Sequence, residues 1–365
     1  MITLIELEQM NNGEVNVGVI IMAWASITAD NEIILDGEAR LVDKAGIPAP
    51  RRQTKKEQQD IIGLTRFYRQ MPNEEAAIAF VEERVWGDEP FCPRCCRTET
   101  VYRVASGQPM SHRCRACKRY FSVRTGTVME DTNLPIQTWL LAIHLMHTDR
   151  HGISSIQLGN MLDITQKTAW FLEHRIREAM AEGDVLMEGV VQVDETYIGG
   201  VERWKHADKK LHKEWQRGRI SVIGLKEDGL GGRVIAFPVF NLNTEAMENA
   251  ILDYVKVGST VYTDSHPGYR NISAYGYNHG TVNHNIGQYV NGDVTNNGIE
   301  SFWAILKGAY VKVFHGVSWK HLHRYVNECA ARLNAGKGNG FRTIGNVLCR
   351  AVGRRLTYKR LIGKA

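Results

Sequence analysis

A chain of 365 residues with 43% hydrophobic and 23% charged content can bury a sizeable core in two or three domains, which excludes a disordered or fibrous protein. The net charge of +5 is uneven: residues 1–50 hold eight acids and two bases, so the remainder carries +11. A body that basic suits a polyanionic partner, nucleic acid above all, although a mildly basic enzyme has the same balance.

No basic-then-apolar signal opens the chain, and the apolar run 19–27 is too short to span a bilayer. The expected location is cytoplasmic and reducing, where paired cysteines bind metal more often than they form disulfides. Residues 1–50 alternate at Val15, Val17 and Val19, with a hairpin-type turn at Asp36-Gly37, and carry no recognisable chemistry. Pro48, Pro50, Arg51 and Arg52 read as a linker. Thr54 and Glu57 have the spacing of a capping box, opening a helix through Leu64, Phe67 and Tyr68 that Pro72-Asn73 ends. A second helix runs through Ala76, Ile78, Val81 and Val85.

Cys92-Pro-Arg-Cys95 and Cys114-Arg-Ala-Cys117 come next. Each turn offers two thiolates to one ion, and two turns complete the closed tetrahedral shell of structural zinc. Cys96 reads as a bystander. Arg94, Arg97, Arg103, Arg113, Arg115, Lys118 and Arg119 surround this module with Tyr102, Tyr120 and Phe121. That mixture suits a ribbon facing nucleic acid; a protein-binding ribbon has similar composition. Beyond it, 134–146 reads as a helix with Trp139, Leu140, Ile143 and Met146 on its apolar side. Two helices, 154–162 and 166–180, are joined by Asp163-Ile-Thr165, the geometry of a helix-turn-helix or of a plain helical hairpin. Thr165 would cap the second helix, whose first turn presents Gln166, Lys167 and Thr168 where a recognition helix meets DNA.

The remaining pattern is strand, strand, strand, helix, strand, helix. The first strand, from 189, runs into Asp194. Strands at 219–225 and 233–240 flank the Asp228-Gly229 turn. A helix covers 244–255, and the strand 259–263 ends at Asp264. A final helix opens through Asn297 and Gly298, with Ile299, Phe302, Trp303, Leu306 and Tyr310 on one stripe and Glu300 and Lys307 beside it. This layout can bring Asp194, Asp264 and Glu300 to one sheet edge. Their oxygens are hard ligands, suited to Mg²⁺ or Mn²⁺, and two such ions assist in-line phosphoryl displacement. Three unrelated surface acids would give the same sequence.

Taken together, Phe91-Cys-Pro-Arg-Cys95, Val193-Asp-Glu-Thr-Tyr-Ile-Gly-Gly200, Val261-Tyr-Thr-Asp264, Val282-Asn-His284, Asn297-Gly-Ile-Glu-Ser-Phe-Trp303 and His321-Leu-His-Arg-Tyr-Val-Asn327 resemble the DDE insertion-sequence transposases, within them the ISXO-like group, over roughly 60–335. The resemblance implies an RNase H-like catalytic domain, a metal-binding triad of Asp194, Asp264 and Glu300, and a dimer or higher assembly on transposon-end DNA. Some members resemble this pattern with Asn in the third position, whereas this chain keeps Glu300. A lysine placed like Lys307 contacts end DNA in related enzymes. The expected fold class is multidomain α/β: an extension at 1–53, a helical lead-in and zinc ribbon at 54–130, a helix-turn-helix at 131–183, the catalytic domain at 184–335 and a basic tail at 336–365.

The stretch 203–219 combines Lys205, Lys209 and Lys210 with Trp204 and Trp215, suiting backbone contact and stacking on unpaired bases, or a solvated loop with its tryptophans turned inward. Glu195 alternates away from Asp194 and is not expected to be a ligand. His284 reads either as a group orienting the scissile phosphate or as a bonded core histidine. The function expected is a transposase with structural zinc and Mg²⁺ or Mn²⁺ at the triad. The alternative is a non-catalytic DNA-binding regulator, for which three acids at one edge have no use.

Overall fold

The computed structural model describes residues 63–181, 185–199, 219–229, 231–282, 296–336 and 340–364, with backbone strands alone within 5–41 and 290–295. The first five strands are β1 (Ile5–Glu6), β2 (Met10–Asn11), β3 (Glu14–Val15), β4 (Ile20–Ile27) and β5 (Ile33–Leu41). The expected capping box at Thr54 lies outside the described residues. Helix α1 (Leu64–Gln70) comes after Gly63, and α2 (Glu74–Trp86) is opened by Asn73, whose side chain accepts from the Ala76 N–H. Glu74 and Glu75 in the first turn suit the positive end of that helix.

Strands β6 (Val101–Arg103), β7 (His112–Cys114) and β8 (Tyr120–Phe121) form a small antiparallel ribbon. It leans on α2 through Trp86, whose ring meets His112 at 4.9 Å and Phe121 at 5.9 Å. Helices α3 (Ile136–Thr148), α4 (Ser155–Leu162) and α5 (Gln166–Met180) come next in the chain. Ser154 and Thr165 cap the last two, and Asp163 takes the left-handed conformation that turns the chain between them.

The larger module is a mixed sheet of β9 (Val190–Ile198), β10 (Ile220–Glu227), β11 (Val234–Val239), β12 (Thr260–Asp264) and β13 (Asn278–Val282). Among the described residues its order is β11-β10-β9-β12-β13, antiparallel over the first three and parallel from β9 to β13. Helix α6 (Thr244–Tyr254) covers one face over Val191, Val193, Ile223 and Leu225. Helices α7 (Asn297–Ala309) and α8 (Trp319–Ala335) cover the other over Val222, Ala236 and Ile198. This mixed α/β architecture is consistent with the RNase H-like class.

One boundary differs from expectation. The segment 336–365 is not a separate basic tail. Its helix α9 (Gly340–Ala351) returns to the N-terminal helices, burying Ile344, Val347, Leu348 and Ala351 with Phe67, Val81, Leu140 and Ile176. Those four apolar residues recur at helical spacing, and the basic residues around them, Arg342, Arg350, Arg354 and Arg355, masked the stripe. Arg354 donates to the carbonyls of Glu178 (3.1 Å) and Ala181 (3.0 Å), closing the end of α5.

Candidate active site

Strand pleat decides where the acids point. Val191 and Val193 face α6, so Gln192 and Asp194 face α7. In β12, Val261 faces α6, so Tyr262 and Asp264 share the face of Asp194. Strands β9 and β12 pair from Thr260↔Val190 to Tyr262↔Gln192. Two residues further in that register, Asp264 falls opposite Asp194. The pairing has stopped by then: β12 stays with β13 through Asp264↔Val282 while β9 continues with β10 to Ile198. Asp194 therefore sits in mid-strand rather than at a strand end, just beyond the point where β12 parts from β9.

Helix α7 brings the third acid. Gln192, buried in the apolar strand, accepts from the Ile299 N–H at 3.0 Å and donates to Asp228 at 3.1 Å, which docks the start of α7 on the sheet. Glu300 lies in that first turn, exposed, where an acid also meets the positive helix end. One turn on, the Trp303 indole N–H donates to Asp194 Oδ2 at 2.8 Å. Burial pushes the Asp194 carboxyl up. The Trp303 bond and the Glu195 N–H oppose that shift, while Asp264 and Glu300 add to it. The three acids thus act on one another, and a bound cation would favour the charged form of Asp194. Their oxygens are gathered less tightly than the ribbon sulfurs. Among the described residues only the cysteine quartet has all its ligand atoms within 4.8 Å.

Gly224, paired with Asp194 across β10, makes this contact possible. A Cβ there would lie 2.5 Å from Trp303 Cη2 and 3.0 Å from Ile299 Cδ1. Gly224→Ala is expected to push Trp303 off Asp194 and to lower stability by about 1–3 kcal/mol. A shifted urea midpoint with altered tryptophan fluorescence checks this; an unchanged spectrum contradicts it.

On the other face, Tyr269 donates to Glu195 Oε2 at 2.8 Å. Burial pushes the Glu195 carboxyl up to about 7, against the Tyr269 bond and with help from Asp264 and Asp194. Glu195 points away from the triad, as alternation requires. Four residues of this site are absent from the sequence expectations, and two of them carry a signal in the sequence. Gln192 is a polar residue in an otherwise apolar strand, and Gly224 interrupts a strand interior. Trp303, as a partner of Asp194, and Tyr269 read as ordinary core.

In the ribbon, Cys92 and Cys117 sulfurs lie 3.6 Å apart, as do those of Cys95 and Cys114. A tetrahedral ion with Zn–S bonds of about 2.3 Å separates its sulfurs by about 3.8 Å, so the four thiols fit zinc. The two turns are duplicates. Cys92 N–H bonds to Arg97 O (2.9 Å) and Cys114 N–H to Arg119 O (3.0 Å), and the fourth residue after each first cysteine is left-handed. Those residues are Cys96 and Lys118. Cys96 is a turn residue, exposed and not a ligand. Arg113 lies over Tyr120 (4.9 Å) and Arg115 over Tyr102 (5.1 Å), beside the exposed Arg94, Arg97, Arg103, Lys118 and Arg119.

Lys167 is exposed in the first turn of α5, 5.6 Å from the Tyr358 ring, and most of α5 beyond Thr168 is buried. Lys307 is exposed two turns from Glu300. Trp204, Lys205, Lys209, Lys210 and His284 lie outside the described residues. No helix among the described residues is long and apolar enough to cross a membrane.

Two family models match the chain in order: a transposase zinc-ribbon domain at 72–120 and an ISXO2-like transposase domain at 186–334. An "Uncharacterized protein in transposable element ISH50" of Halobacterium salinarum is 27% identical over 287 residues, 76% of this chain and 96% of that protein. An "Uncharacterized transposase-like protein" of Haemophilus influenzae is 29% identical over 102 residues, 28% of this chain and 81% of that protein. The chain thus carries a transposase zinc-ribbon domain, with its four cysteines, ahead of an ISXO2-like transposase domain built on a mixed sheet.

Proposed function

We propose that this transposase cuts DNA at the ends of its insertion sequence and joins the freed 3′-OH to target DNA, with Asp194, Asp264 and Glu300 holding two Mg²⁺ or Mn²⁺ ions. The observation that supports the reading is that Asp194 and Asp264 share one face just beyond the point where β9 and β12 part, with Glu300 in the first turn of α7, which docks on that face. Divalent ions held by these three carboxylates would supply the charge neutralisation that phosphoryl displacement needs. The protein's own groups do the positioning. Trp303 fixes the Asp194 carboxylate, and Gln192 fixes the start of α7. Each step exchanges one P–O bond for another: water releases the 3′-OH and leaves a 5′-phosphate, then that 3′-OH forms a new phosphodiester with target DNA and releases a target 3′-OH, so no nucleotide cofactor is needed.

DNA is held, in this reading, by the ribbon arginines, by Lys167 at the start of α5 and by Lys307 beside the triad. Lys205, Lys209, Lys210, Trp204 and His284 are proposed to add contacts to backbone and unpaired bases near the cut. Two ends must be bridged, which calls for a dimer or higher assembly. The domain division proposed is a ribbon with its lead-in to 130, a helix-turn-helix to 183 and a catalytic domain to 335, with α9 completing the helical part.

Asp194→Asn keeps the size of the side chain and an oxygen for Trp303. It is expected to lower strand cleavage by roughly a hundredfold or more, the scale of losing one preorganised electrostatic contact, with end binding unchanged in a gel-shift titration. Equal loss of binding would make Asp194 structural.

A further inference from the structure

We propose that the Tyr269–Glu195 hydrogen bond is a clamp that sets the spacing of Asp194 and Asp264 and thereby the affinity of the site for its divalent cations. The inference rests on the triad reading of the proposed function. It assigns a positioning role to two residues that lie on the opposite face of the sheet.

Backbone pairing between β9 and β12 ends at Tyr262↔Gln192, two residues short of the acids. Nothing in the ladder therefore fixes Asp264 against Asp194. After Asp264 the chain makes a tight turn that is tied back at each step. The His266 N–H donates to Asp264 Oδ1 at 2.9 Å, the Gly268 N–H donates to His266 Nδ1 at 3.0 Å, and the Tyr269 N–H donates to His266 O at 3.2 Å. Tyr269 is 1% exposed, its ring held in the core under α6 beside Met247 and Ile272. Its hydroxyl ends this chain of bonds on Glu195, the residue next to Asp194. A rigid turn anchored at Asp264 thus reaches across the gap to the strand that carries Asp194. The cross-link sits at the height where the ladder is missing. On the α7 face, Trp303 holds the Asp194 carboxylate itself. One acid is steered from its own face and the spacing from behind.

Glu195 is itself no ligand, because Val191 and Val193 fix its parity toward α6. Groups that orient metal ligands through hydrogen bonds typically change affinity by about 10–100-fold when removed, and a clamp on ligand spacing belongs to the same class.

The test is Mn²⁺ binding to the full-length, zinc-loaded chain without DNA, by electron paramagnetic resonance titration, with thermal melting in metal-free buffer alongside. Tyr269→Phe is expected to weaken Mn²⁺ binding by about tenfold or more while still unfolding in one cooperative transition within a few degrees of the wild type. Glu195→Ala is expected to match it. Glu195→Gln, whose amide oxygen still accepts the Tyr269 hydroxyl, is expected to retain most of the affinity. Wild-type binding by Tyr269→Phe overturns the clamp. Loss by Glu195→Gln as severe as by Glu195→Ala overturns it too, since the carboxylate would then act by charge or ligation. Asp264→Asn separates the two levels. If that variant also binds as wild type, or if the wild type binds no Mn²⁺, the triad reading fails and the clamp with it.

Discussion

Glu328→Ala is expected to cost about 3–5 kcal/mol of folding stability, the scale of breaking a buried ion pair from one side. Glu328 is fully buried on α8 and accepts from Arg177 Nε at 2.6 Å and from Arg332. Arg177, fully buried on α5, also reaches Glu173 at 3.2 Å, and its guanidinium stacks on the Tyr325 ring at 4.1 Å. Burial works against the Arg177 charge, but Glu328 and Glu173 outweigh it and hold the guanidinium above its usual range. Burial likewise opposes the Glu328 charge, and Arg177 and Arg332 reverse that, holding its carboxyl low. Burial pushes the Glu173 carboxyl up, with Arg177 opposing and Glu328 adding. Removing Glu328 leaves two buried cations, Arg177 and Arg332, and only Glu173 of this group to offset them.

The packing around this group leaves no room to rearrange. Gly152 has a positive φ of 86°, and a Cβ there would lie 2.5 Å from Arg332 Nη1 and 2.8 Å from Glu328 Oε1. Because Arg177 lies on α5 and Glu328 on α8 within the matched transposase domain, the loss also loosens one from the other. Urea unfolding monitored by circular dichroism checks the number. A cost under about 1 kcal/mol contradicts it, being the range of exposed pairs. Arg177→Met with Glu328→Leu is expected to recover part of the loss, since apolar replacement of a whole buried ionic group is often tolerated.

Removing zinc is expected to unfold the ribbon and leave the rest of the chain folded. The ribbon strands are two or three residues long, and the cluster at their centre is Cys92, Cys114 and Phe121. That core is too small to stand alone. Structural zinc contributes about 10–16 kcal/mol in comparable small modules. Cys114→Ser, or chelation, is therefore expected to open residues 88–122 to protease and to change the environment of Trp86. DNA binding should fall with it. The α6 and α7 cores share no residue with the ribbon and should keep their protection. Protease resistance of 88–122 in the metal-free protein would contradict this.

The parts legible in the sequence were those set by local spacing. Cys92-x-x-Cys95 and Cys114-x-x-Cys117 are local, as are the Thr165 cap and the apolar stripe of α7, and each stands as its pattern implied. Parity along β9 separated Asp194 from Glu195 without any coordinates. Register was not legible. That Asp264 falls opposite Asp194 depends on where two strands 70 residues apart begin to pair. Long-range polar partners were equally hidden: Arg177 and Glu328 are 151 residues apart, and Tyr269 and Glu195 are 74 apart. Composition misled at α9, where arginines obscured a core-forming face.

Whether Asp194, Asp264 and Glu300 form a metal-dependent centre for DNA strand cleavage is decided by one assay. A labelled duplex carrying the element's own terminal repeat is incubated with Mg²⁺ or Mn²⁺ and either the wild type or Glu300→Gln, and nicking is measured. Nicking at the repeat end that requires the metal and is lost in Glu300→Gln is the predicted result. Tight binding to the repeat without nicking by either protein would contradict it and leave a DNA-binding regulator.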